Sequence, residues 1–140
     1  QLHRRLHFMS SVFTMIIEGE LPGTFVWKDE QCVAFMSINP ISFGHTLVVP
    51  RDEIDHWTDV PSILQQHLFD VAGKIAVAQK LAFNTKRVGM VIAGFEVPHT
   101  HIHLIPMNTM ADMDFSLAAN SVDPKDLDSA AQQIKSRFGK

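Results

Sequence analysis

His99, His101 and His103 alternate along one run, His99-Thr100-His101-Ile102-His103-Leu104-Ile105. With eight His in 140 residues, a His at i, i+2 and i+4 arises by chance only roughly 0.03 times in a chain of this length. Side chains alternate across a strand, so the spacing predicts three imidazoles on one face, about 6.5–7 Å apart, with Thr100, Ile102 and Leu104 turned to a core. Three chemistries compete for that face. Exposed or mutually satisfied histidines need no function. A pair of alternating imidazoles can bind Zn or Fe with a third ligand from elsewhere, although the three rings span about 13 Å and no carboxylate lies among them. In the third reading the central imidazole attacks an electrophile while its neighbours position it and supply protons. Phosphorus suits this role, because neutral imidazole is nucleophilic near pH 7 and the phosphorus–nitrogen bond it forms is labile to water.

The surrounding elements must hold such a row. Ser10 or Ser11 can cap a short helix through Val12, Phe13, Ile16 and Ile17, which ends near Gly19 and Pro22. Thr24 to Trp27 and Cys32 to Met36 are β-prone runs around the turn-forming Lys28-Asp29-Glu30, a hairpin signal. His45 to Val49 reads as a third strand closed by Pro50. From Pro61 to Phe83 the apolar positions Leu64, Leu68, Val71, Ile75 and Ala78 recur with helical period. Val88 to Ile92 and His99 to Ile105 supply strands four and five, and Asp123-Pro124 opens a last helix through Leu127, Ala130, Ala131 and Ile134. The expectation is an α+β fold, a five-stranded mainly antiparallel sheet with one long helix, a short N-terminal helix and a C-terminal helix. Met107 to Val122 is weakly patterned and reads as a mobile connection; Met107, Met110 and Met113 within it read as gap-fillers or exposed loop rather than a lid.

At 140 residues with 46% apolar content the chain fits one domain with a core of its own. Residues 1–8, basic and ahead of Met9, read as an upstream extension, leaving 9–140 as the domain. A formal charge of −3 provides no field for a nucleic-acid backbone. The lone Cys32 excludes an intramolecular disulfide and suits a reducing compartment, so a cytoplasmic location is expected. No apolar run approaches the roughly 20 residues of a membrane span. His56 and His67 read as surface or packing residues, and Trp27 and Trp57 as packing or interface anchors.

Gly44-His45-Thr46-Leu47-Val48-Val49-Pro50, followed by His99-x-His101-x-His103-Leu104-Ile105-Pro106, resembles the histidine-triad (HIT) nucleotide hydrolase and transferase family. The likeness runs over most of Ser10 to Pro106, and Glu53 to Trp57 with Val97-Pro98-His99 look most like an actinobacterial branch of small HIT proteins. It implies that His101 is the nucleophile that takes the α-phosphoryl group of a nucleotide, with no cofactor. It further implies that His103 contacts phosphate oxygens or the leaving group, that His99 orients the nucleophile, and that His45 supports them. Val12, Phe13, Ile16, Phe35 and Ile38 match an apolar slot around a purine. The partner implied is a purine nucleotide conjugate, whether phosphoramidate, adenylated amine or dinucleoside polyphosphate, and a two-fold homodimer is expected.

This chain departs from the family pattern at three places. Ser37 stands where an acidic residue usually grips the ribose, and cannot make a charged bidentate contact. Ser11, Thr14 and about Glu53 replace the Cys-x-x-Cys pair and the His of a structural zinc site, so no metal is expected. The loop Ile92 to Val97 lacks the usual phosphate cradle, and Glu96 within it either points inward as an acid or base or is a solvated charge. A nucleotide-binding regulator without turnover is the second reading of the same residues, and a metal-dependent hydrolase the third.

Overall fold

The computed structural model describes residues 10–139; the expected extension at 1–8 lies outside them. Helix α1 (Val12–Ile17) precedes strands β1 (Phe25–Lys28), β2 (Cys32–Met36) and β3 (Thr46–Pro50), then the long helix α2 (Ser62–Phe83), strands β4 (Arg87–Val91) and β5 (Ile102–Met107), and helix α3 (Pro124–Lys135). The sheet has the order β1-β2-β3-β5-β4, and every pairing is antiparallel. This is the expected α+β architecture. No helix among the described residues is long and apolar enough to cross a membrane.

Alternation along β2 and β3 divides the interior in two. Cys32, Ala34, Met36 and Val48 pack with Ile102 and Leu104 against Leu68, Val71 and Ile75 of α2 and Ile134 of α3. Val33, Phe35, Leu47 and Val49 face the other way and pack with Phe13 of α1. Both faces of these strands are therefore buried, which is why they read as continuous apolar runs.

The fifth strand begins later than the sequence pattern suggests, at Ile102 rather than His99. Its ladder with β3 pairs Thr46, Leu47 and Val48 with Leu104, His103 and Ile102. Continuing the register would bring Pro50 opposite Thr100, and proline has no N–H to donate. The amide of Thr100 turns instead to the Ile54 carbonyl at 2.7 Å. At the other end β5 runs through Pro106, tolerated because β3 is no longer beside it there and only β4 pairs with it, Val88 opposite Pro106.

The segment after β5 is more ordered than its composition suggests. It contains two short 3₁₀ turns, Met110–Asp112 and Phe115–Leu117. Asn39 Nδ2 donates to the carbonyls of Ala119 and Asn120, and Ala119 N donates to Pro40 O at 3.0 Å, pinning the segment to the β2–β3 loop.

Candidate active site

Three elements bring four imidazoles together. His103 stands on β5, His99 and His101 on the irregular chain leading into it, and His45 on the residue before β3. His99, His101 and His45 are buried, and His103 is partly exposed. The His101 and His103 ring centroids are 4.9 Å apart, and Phe13 meets both His101 and His99 edge-on at 4.8 and 5.9 Å. Alternation thus survives ahead of the regular strand, with Ile102 and Leu104 in the α2-side core.

Backbone groups settle where each neutral ring carries its proton. His101 Nδ1 lies 2.7 Å from the His99 carbonyl, which can only accept, so Nδ1 holds the hydrogen and Nε2 keeps its lone pair. His45 Nδ1 accepts the Ile41 amide at 3.0 Å. Its Nε2–H must therefore donate to His103 Nδ1, 3.0 Å away, leaving the His103 hydrogen on Nε2. His99 Nε2–H donates to Pro50 O at 2.8 Å, and its Nδ1 accepts from the Ser11 hydroxyl at 2.7 Å.

Burial favours the neutral forms. It is the largest influence on all four rings, lowering His45 to about 4 and His103 to about 3, with the charge of neighbouring histidines adding to the effect. Burial also lowers His101, against the His99 carbonyl and the negative charge of Glu96, which favour the imidazolium. His99 is lowered by burial despite its bond to Pro50 and the nearby Glu53. At neutral pH the site therefore presents an uncharged nucleophilic nitrogen at His101 beside an N–H donor at His103.

The substituted positions Ser11, Thr14 and Glu53 do meet around His99. Glu53 Oε1 accepts from the Ser11 amide at 2.8 Å and from the Thr14 hydroxyl at 2.6 Å, while Ser11 Oγ also caps α1 by accepting from Thr14 N. Burial would raise the Glu53 carboxyl, but these hydrogen bonds and the nearby His99 ring lower it. Two neutral hydroxyls already engaged with their neighbours are not the thiolate and imidazole set of a structural zinc site, so these residues do not fit that metal.

Of the expected slot residues, Phe13 and Phe35 are buried together, 5.6 Å between rings, and Ile16 packs beside them. Val12 and Ile38 are exposed. Ser37 is buried and its Oγ accepts the Asn39 amide at 3.2 Å. Glu96 is exposed at the mouth of the triad run.

Two contributors escape sequence reasoning, and so does the reason for a third, Gly44. Phe115 sets its ring 4.9 Å from His103; its neighbourhood lacks any periodicity to announce it. Gln79, buried on α2, donates from Nε2 to Gly44 O at 2.9 Å and Leu104 O at 3.2 Å, tying the turn before His45 to the strand that carries His103. A lone polar residue on the apolar stripe of α2 was the available signal. Gly44 has φ +91°, and a Cβ there would lie 2.2 Å from the Phe83 ring, so the turn that delivers His45 accepts only glycine.

The HIT domain family model matches residues 18–110. The chain belongs to the HIT family. An uncharacterized HIT-like protein of Methanocaldococcus jannaschii is 37% identical over 99 residues, 68% of this chain and 77% of its own. The protein Hit of Bacillus subtilis is 31% identical over 135 residues, covering 91% of this chain and 93% of its own. A Hit-like protein from Bartonella henselae superposes with a TM-score of 0.83 at 25% identity, over 92% of this chain and 96% of that one. Two further relatives bear names of activities. One is an adenosine 5'-monophosphoramidase of Saccharomyces cerevisiae, 32% identical over 68% of this chain and 61% of its own. The other is an adenylylsulfatase of Arabidopsis thaliana, 29% identical over 68% and 51%. Nucleotide hydrolysis is thus an activity named within this HIT kinship.

Proposed function

We propose that this HIT protein cleaves the bond to the α-phosphorus of a purine nucleotide conjugate through a covalent nucleotidyl adduct on His101. The observation that carries the reading is the 2.7 Å hydrogen bond from His101 Nδ1 to the His99 carbonyl. It aims the Nε2 lone pair away from the backbone and gives the cation formed on attack an acceptor already in place.

In the proposed reaction His101 Nε2 bonds to the α-phosphorus as the bond to the leaving oxygen or nitrogen breaks. His103 Nε2–H hydrogen-bonds a phosphoryl oxygen, and the departing oxygen or nitrogen takes its proton from solvent. Water then attacks the phosphorus, the phosphorus–nitrogen bond breaks, and neutral His101 is restored with the nucleoside monophosphate released. Phe13, Phe35 and Ile16 form the apolar wall, with Val12 and Ile38 at its exposed edges, and Ser37 faces the ribose. No cofactor enters the reaction. The two relatives with named activities act on phosphoramidate and sulfate conjugates of adenylate, which supports this substrate class. Glu53 to Trp57 and Val97 to His99 align the chain with the actinobacterial branch in this reading.

The domain is residues 9–140, working in the cytoplasm as a homodimer. A cavity of about 350 Å³ between α2 and β4, lined by Trp57, Leu68, Phe69, Met90 and Ile92, supports the dimer. Phe69 and Met90 are exposed there, and an apolar surface beside a sheet edge favours a partner.

Ser37 and the short Ile92–Val97 loop favour a second reading, a nucleotide-binding regulator. Rapid acid quench of a single turnover with an adenosine phosphoramidate separates the two. Expected is an acid-labile adduct on His101 that forms and decays at the rate of turnover; binding without an adduct supports the regulator.

A further inference from the structure

On the face of the sheet away from the triad, three metal-binding residue types from three elements converge. Asp29 lies in the β1–β2 turn, Cys32 opens β2, and His67 projects from α2. His67 Nε2 is 2.7 Å from Asp29 Oδ2, Cys32 Sγ is 3.6 Å from the same oxygen, and the three ligand atoms lie within 4.8 Å of one another. We infer that Asp29, Cys32 and His67 form a binding site for a zinc-type divalent cation, completed by water.

Two of the three ligand separations are close to what such an ion requires. Tetrahedral bonds of about 2.0 Å to nitrogen and oxygen and about 2.3 Å to sulfur place oxygen and sulfur about 3.5 Å apart and nitrogen and oxygen about 3.3 Å apart. The Cys32–Asp29 separation already meets the first value, and His67 must withdraw by roughly half an ångström to meet the second. His67 is on the second turn of α2 with its side chain 29% exposed, which leaves room for a small shift of the imidazole.

The carboxylate is aimed in advance. Oδ1 accepts the amides of Gln31 and Cys32 at 2.7 and 2.8 Å, and the Trp27 indole N–H donates to Oδ2 at 2.7 Å. Such outer hydrogen bonds orient a metal-binding carboxylate. Three donors, the indole, the imidazole and the thiol, otherwise crowd a single oxygen. An entering dication replaces two of them: the thiol proton leaves to solvent, and the imidazole hydrogen moves from Nε2 to Nδ1. Thiolate and carboxylate then balance the two positive charges.

The side chains of His67 and Asp29 are 29% and 25% exposed, which opens one side of the cluster to an incoming ion and its water. The sulfur is fully buried. Such an ion would staple the hairpin to α2 without touching the reacting groups, so this site stands independently of the nucleotide chemistry proposed above.

Because the chain has one cysteine, a sulfur-to-cobalt charge-transfer band can arise only here. The test titrates the purified full chain with Co²⁺ alone. Expected are a charge-transfer band saturating at one ion per chain and its loss on adding Zn²⁺. The same band should be absent in Cys32→Ser and bound roughly tenfold or more weakly in His67→Ala. Zn²⁺ should raise the melting temperature of the native chain but not of His67→Ala, which replaces a half-buried helix side chain with the strongest helix former and so stays folded. No band in the native chain, or an undiminished band in His67→Ala, overturns the site.

Discussion

The hydroxyl of Ser11 donates to Nδ1 of His99 across 2.7 Å, joining the first helix to the first histidine of the triad 88 positions later. The same oxygen caps α1, so one atom both starts the helix that carries Phe13 and holds the ring of the residue whose carbonyl binds His101. Ser11→Ala removes the cap and leaves the buried His99 nitrogen without its donor. The expected loss is about 1–3 kcal/mol of stability, read by urea denaturation, together with a lower kcat. A variant that loses neither shows that the link is dispensable.

His101→Ala is expected to abolish the adduct and lower kcat/KM by on the order of 10³-fold or more, with cooperative unfolding retained. Mass spectrometry of acid-quenched single turnovers supplies the measurement. Adduct formation by this variant places the nucleophile elsewhere.

Stability depends on pH through the depressed histidines. The folded values of His45 and His103, about 4 and about 3, lie below the unfolded value near 6.5. Between these limits the unfolded chain binds more protons, so stability rises with pH through that window and is complete above about 6.5. On acidification from pH 6.5 to 4 the melting temperature should fall, by the equivalent of a few kcal/mol for the two rings together. His45→Gln should flatten that slope. An unchanged slope in the variant means that His45 is not the source.

Ser37 sits where its Oγ already receives the Asn39 amide. Ser37→Asp keeps that donor and adds a charge able to take both ribose hydroxyls, so nucleoside monophosphate binding should tighten by several-fold, about 1 kcal/mol. Calorimetric titration checks it, and unchanged affinity moves the ribose away from this residue.

Phe69→Asp and Met90→Asp place charges on the apolar cavity between α2 and β4. If two chains pair there, either substitution halves the mass seen by light scattering while leaving the monomer folded, since both side chains are exposed. A native chain that is already monomeric removes the dimer.

Much of this was readable along the chain. The His99-x-His101-x-His103 spacing announces the site because a two-residue repeat is a property of the local backbone. The β2 and β3 runs and the periodic stripe of α2 announce the layers, since burial on a face imposes its period on the residues. The boundary of β5 was not readable, because what ends its ladder is Pro50, a residue on another strand that lacks an N–H.

Tertiary structure alone decided the rest. The proton positions on the four rings follow from carbonyls and amides of Pro50, Ile41 and His99 that only folding brings within reach. Phe115 against His103, Gln79 between the two strands and the Asp29–Cys32–His67 cluster join positions distant in the chain without any shared period. Composition and spacing specify which groups the protein carries and which face each presents. Hydrogen-bond direction, desolvation and proton affinity depend on distances across the sheet, and those exist only once both faces are packed.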